Sequence, residues 1–129
     1  MAAKPYTLSA LIRLPPDDGQ EAGVREFSTA GVFSHKVEAE LVFTGTGTHV
    51  VNFGSIPSTG AKAILLEYEA TDSSDQDPLL VSLNGSEDTF PVFSGGGLML
   101  SNPLPAGAGV TALSVTYAAA CIVKVTLLA

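Results

Sequence analysis

Glu67 and Glu69 stand two residues apart in "AILLEYEA". In an extended strand they share one face, because side chains alternate with a period of two. Two carboxylates so placed could do acid–base work. A pair of acids on a strand at a sheet edge also deters edge-to-edge pairing, and that reading asks for no substrate. Asp72, Asp75 and Asp77 follow within ten residues. Closely spaced oxygens suit calcium, but the spacing lacks the alternating acids, the glycine and the distant glutamate of a calcium loop. A solvated acidic turn is the expectation there.

The remaining reactive side chains are sparse. His35 and His49 are the two histidines, and neither has a local acid or cysteine cluster that would complete a metal site. Cys121, the single cysteine, lies between Ala120 and Ile122 in an apolar run. It reads as a buried thiol, since a reactive one wants a basic neighbour and only Lys124 is close. No serine sits in a nucleophile elbow. Gly95, Gly96 and Gly97 could cradle a phosphate at a helix start, but Leu98, Met99 and Leu100 follow and no lysine is near. Two turns flanking a short strand account for "FSGGGLMLSNPLP" without a ligand. The expectation is therefore a chain with no catalytic residue, no metal and no cofactor.

The elements that position these residues are strands. The 129 residues include 13 glycines and 8 prolines, spaced so that short alternating segments lie between them. In "CIVKVTLL", Cys121, Val123, Val125 and Leu127 face one way, and in "TALSVTY" Leu113, Val115 and Tyr117 do. In "KAILLEYEA", Ile64, Leu66 and Tyr68 share a face. This pattern predicts antiparallel strands buried on one side. Ten candidates span 7–14, 24–33, 36–44, 49–53, 62–70, 78–83, 89–93, 97–101, 111–118 and 121–128. The expected fold is all-β, an antiparallel β-sandwich or jelly-roll-like domain of about eight to ten short strands. It occupies 1–129 as a single domain, with 1–6 as an N-terminal arm. At Asn84-Gly85, a two-residue loop would set Val81 against Asp88. A four-residue loop, 84–87, pairs Val81 with Phe90 and Leu79 with Val92, and is the expected register.

Charge narrows the partners. Thirteen acids oppose six bases, for a net charge of −7. A nucleic-acid surface is basic, so that role is disfavoured. No run has the length of a membrane span, and the opening residues do not read as a signal peptide. Asn84-Gly85-Ser86 matches a glycosylation acceptor, which is read as chance. Seven acids and no base lie between Glu67 and Asp88, whereas the 41 residues from Thr89 to Ala129 carry one charge, Lys124. Ordinary domains carry about a quarter charged residues. A segment so poor in charge is expected to face another protein.

The stretches "AILLEYEA", "PLLVSLNG", "FSGGGLMLSNPLP" and "VTALSVTYAAACIVKVTLLA" resemble small β-sandwich virion proteins of tailed bacteriophages, most of all capsid decoration (cement) proteins. The resemblance covers about half the chain. It implies a non-enzymatic protein that binds and stabilises the capsid shell, with the major capsid protein and itself as partners, as a homotrimer. It implies residence in the virion after assembly in the host cytoplasm. Such proteins have no catalytic residues to carry over. The expected contact surface runs over 93–108 and 1–6, with Tyr6, Phe93, Leu98 and Leu104 as interface residues. The alternatives are a tail, neck or baseplate component, and a carbohydrate- or cell-surface-binding module. For the latter, three tyrosines and no tryptophan make a thin aromatic platform.

Overall fold

The computed structural model describes residues 2–14, 23–101 and 109–129. The described chain is all β. Its strands are β1 (Lys4–Leu14), β2 (Gly23–Phe33), β3 (Lys36–Phe43), β4 (Gly47–Val50), β5 (Ala63–Ala70), β6 (Leu79–Leu83), β7 (Phe90–Val92), β8 (Gly97–Ser101), β9 (Leu113–Tyr117) and β10 (Cys121–Leu128). Each corresponds to one of the ten candidates; β8 and β10 match end to end, and the others differ by one to three residues at an end.

Eight strands form two four-stranded antiparallel sheets, ordered β3-β10-β5-β8 and β4-β9-β6-β7. The pairs β3·β10, β4·β9, β5·β8 and β6·β7 nest one within the next. They amount to one long hairpin folded over on itself. The joins β10·β5 and β9·β6 then close it into two sheets. That is the strand order of a jelly roll.

Alternation decides what lies between the sheets. Leu66, Val123, Val125 and Leu127 point inward from the first sheet, and Leu79, Val81, Leu113 and Val115 from the second; all are fully or almost fully buried. Burying each such side chain contributes about 2 kcal/mol. Aromatic rings fill one end of the core. Phe43 of the first sheet stacks on Tyr117 of the second at 3.9 Å and 13°, and His49 tilts against Phe43 at 5.5 Å. Gly47, opposite Tyr117 in the ladder, makes room: an added Cβ would lie 2.8 Å from the tyrosine hydroxyl.

The expected register holds at β6·β7, where Val81 faces Phe90 and Leu79 faces Val92. The turn itself differs. Asn84 and Gly85 both have positive φ, 53° and 70°, and the Ser86 amide donates to the Leu83 carbonyl at 3.0 Å. This is the two-residue turn with two left-handed residues that suits a hairpin's twist. The residues after it take up the slack that brings Phe90 opposite Val81.

β1 and β2 stand apart as a two-stranded sheet paired over eleven positions, from Lys4↔Phe33 to Leu14↔Gly23. Only Ser34 and His35 separate β2 from β3. The amides of both donate to the Ala129 carbonyl, and the His35 carbonyl accepts from the Ala129 amide. β2 therefore carries the line of β3 past the end of β10.

Candidate functional site

The hairpin β1–β2 is about 36 Å long at 3.3 Å per residue. Its two halves differ in burial. Near the base Tyr6 is only 8% exposed, lying across Gly31 with its ring 6.2 Å from that of Phe33. Of the 1–6 arm, Lys4 to Tyr6 are ladder-paired, and Tyr6, expected at an interface, is buried within its own chain. In the outer half the reverse holds. Every residue from Ser9 to Arg13 and from Val24 to Ser28 is exposed.

Those exposed residues are not polar. Pairing places Ala10 beside Phe27 and Ile12 beside Arg25 on one face. Leu11 beside Glu26 and Arg13 beside Val24 form the other. Ile12 is 59% exposed and Phe27 56%, and Leu11 and Val24 are as open. Among the described residues neither outer edge of the hairpin has a strand partner. A two-stranded ribbon in water is marginal on its own, and uncovered apolar faces with open edges favour a covering partner.

The second feature is the outer face of the first sheet. Glu38, Glu40 and Val42 of β3, Ile122 and Lys124 of β10, and Leu65, Glu67 and Glu69 of β5 point outward by the alternation that buries their neighbours. Lys124 stands opposite Glu40 on one side and Glu67 on the other. Among the described residues the ion pair within 4 Å is Lys36–Glu38, at 3.6 Å, which leaves Glu40, Glu67 and Glu69 without one. β5 lies between β10 and β8, so Glu67 and Glu69 are not on the edge strand where the sequence suggested them. Alternation reveals faces, not strand order.

A groove of about 380 Å³ opens on this face between Glu67, Glu69, Ile122 and Lys124 and the glycines 95 to 97. The glycines form the expected turn. Gly95 has φ +83° and the Gly96 amide donates to the Phe93 carbonyl, as in a turn that needs a left-handed third residue. The turn clasps β5, with the Tyr68 amide donating to Gly96 and the Gly95 amide to Tyr68. Gly97 sits so close to β5 that a Cβ would lie 2.6 Å from the Leu66 carbonyl. The groove is open because no side chain rises from its wall.

Other expected site residues fall as follows. Phe93 is exposed at 58%. Leu98 pairs with Leu66 and is half-buried, packed on the core: β8 turns Leu98 and Leu100 inward and Met99 outward. Leu104 lies outside the described residues. The acids of the 72–77 turn bond to their own backbone. Asp72 Oδ1 accepts from the Ser74 amide and hydroxyl, which hold its carboxyl below the usual range, the amide first. Asp75 Oδ1 accepts from the Asp77 amide. Among the described residues no three metal-ligating side chains gather. The exposed outer half of the hairpin was missed from sequence. A signal existed: β1 and β2 carry apolar and charged residues on both faces, so neither face reads as core.

Comparison of the chain with known protein families, curated proteins and solved structures gives no significant match.

Proposed function

We propose that the protein is a non-enzymatic structural component of a tailed-phage virion, a decoration protein that binds the assembled capsid shell and stabilises it. The observation that carries this reading is the outer half of the β1–β2 hairpin, with Leu11, Ile12, Val24 and Phe27 exposed on both faces and, among the described residues, no strand along either edge. Apolar surface held out from a well-packed domain serves contact with another macromolecule, and it offers no pocket for turnover. The jelly-roll order and the resemblance of the C-terminal half to small virion proteins support the same direction. A fold alone does not carry function, so weight rests on the hairpin.

The mechanism is thermodynamic. A protein that binds only the assembled shell stabilises it by mass action, in proportion to how far its free concentration exceeds the dissociation constant. Several copies tied into one oligomer would multiply weak contacts through effective concentration. Phe93 and the 93–108 stretch supply a second contact region in this reading, with the major capsid protein as partner.

The test is co-sedimentation of the purified chain with empty capsids, together with the melting temperature of those capsids. Saturable binding and a raised shell melting temperature are expected. A chain that stays in the supernatant and leaves shell melting unchanged overturns the reading.

A further inference from the structure

We infer that the face of the hairpin bearing Ile12, Arg25 and Phe27 docks on the outer face of the β3-β10-β5-β8 sheet of a second copy of this chain, with Arg25 entering the groove between Glu67 and Glu69. Two uncovered surfaces of one molecule match in charge and in shape. In its outer half the donor face combines exposed apolar side chains with a single charge, the guanidinium of Arg25, and no acid; Lys4 lies on the same face at the base. The acceptor face exposes Val42, 64% open, beside Ile122, Leu65 farther along β5 and, among the described residues, three carboxylates without an ion pair within 4 Å. Two bases share the face: Lys36, paired with Glu38 at 3.6 Å, and Lys124, which stands between Glu40 and Glu67 and lines the groove.

The groove is suited to this occupant. Its volume of about 380 Å³ exceeds a single long side chain, so Arg25 could enter with part of Phe27 beside it. Gly95, Gly96 and Gly97 leave the wall low, and Ile122 gives an apolar floor. A guanidinium takes carboxylates in a planar fork, which a lysine does not reproduce. Complementarity lies in this face, not in net charge: β1 and β2 hold Lys4, Arg13 and Arg25 against Glu26, but residues 15–22 add Asp17, Asp18 and Glu21. From Lys36 onward the chain carries nine acids and three bases. The acceptor face thus belongs to an acidic body, and the match is local, between Arg25 and the carboxylates of Glu67 and Glu69.

Donor and acceptor are different surfaces, so the contact is head-to-tail. Such contacts close into a ring when the rotation between copies permits. The opposite hairpin face, with Leu11 and Val24, stays free for a shell. The proposal does not need the shell, and its test is run without one.

The experiment is light scattering on size-exclusion fractions of the full-length chain and three variants. The wild-type chain is expected as a closed oligomer that dissociates as salt rises. Arg25→Glu and the double variant Glu67→Arg/Glu69→Arg are each expected as monomers, with self-association weakened about tenfold or more. Mixing those two monomers is expected to restore association, because the intact donor of the sheet variant meets the intact acceptor of Arg25→Glu and the two reversed surfaces also carry opposite charges. Phe27→Ser, which alters only an exposed hairpin side chain, is expected to weaken the oligomer too. Circular dichroism checks that each variant is folded, and Arg25→Glu and Phe27→Ser decide the matter if the sheet variant is not. A monomeric wild-type chain overturns the proposal. So does an oligomer that survives Arg25→Glu, or a mixture that stays monomeric.

Discussion

Cys121 and Tyr68 show how two side chains with reactive groups are made inert. Both point into the core from neighbouring strands, Cys121 opposite Ala70 and Tyr68 opposite Val123. Burial pushes the Cys121 thiol above its usual range, and the charge of Asp75 adds to it. Burial likewise raises the Tyr68 phenol, helped by Cys121, Asp75 and Asp77, while its hydroxyl donates to the Asp77 carbonyl at 3.2 Å. Both groups are therefore neutral in the native state. The sign follows: the unfolded chain releases these protons first, so native stability is complete below the ordinary values of 9.0 and 10.0 and is lost as pH rises from them through the raised native values. Thermal melts taken at a series of pH values should show a midpoint that is flat up to about pH 8 and then falls. Cys121→Ala should cost about 1 kcal/mol at neutral pH through the small void it leaves. It should also delay the alkaline fall by about a pH unit, to the range where tyrosine titrates. An unchanged onset in that variant would mean that the thiol does not govern the first step.

Among the elements, the β6–β7 connection depends most on one side chain. Asn84 Oδ1 accepts from the Thr111 amide at 2.7 Å, the Thr111 hydroxyl at 3.1 Å and the Ala112 amide at 3.2 Å. The Asn84 amide itself donates to the Ala112 carbonyl. The turn at the end of β6 thereby fixes the approach to β9, its neighbour in the sheet. Asn84→Ala removes the acceptor and places an alanine at φ 53°, where asparagine is tolerated far better. Urea unfolding should show a loss of about 2 kcal/mol. Asn84→Asp, which keeps an acceptor and tolerates the same φ, should stay within about 0.5 kcal/mol of the parent. Equal losses in the two variants would place the effect in the backbone alone. This connection also shows what a sequence discloses. Alternation and acid-against-apolar clashes revealed ten strands and the Val81↔Phe90 register, because the shorter register would set Asp88 against Val81. They could not reveal that the tight Asn-Gly turn and the longer register coexist, since slack in the following residues carries no pattern. The inward turn of Leu98 was hidden for a related reason: three glycines before it have no side chains to set the phase. The place of β5 in the middle of its sheet was hidden too, because strand order depends on long-range pairing.

At the scale of the molecule, a packed sandwich and an uncovered ribbon are joined through two residues, and they should be separable. The outer half of the hairpin, Ser9 to Arg13 and Val24 to Ser28, is exposed throughout and gives nothing to the core cluster. The base is different, because Tyr6 is buried there across Gly31. A truncation should therefore keep the base and cut the ladder beyond the Leu8↔Thr29 pair, replacing 9–28 with a short Asn-Gly turn. Removing surface that is exposed in both folded and unfolded chains changes stability little. The truncated chain should melt within a few degrees of the parent, the scale of about 1 kcal/mol or less for a domain of this size. It should also expose less apolar surface and be less prone to associate nonspecifically. Its binding to capsid shells in co-sedimentation should nonetheless be lost, since the surface proposed to make that contact is gone. A truncated chain that melts normally and still sediments with shells would move the contact to Phe93 and the sandwich. A chain that loses its cooperative melt would show instead that the ribbon's outer half supports the core from which it extends.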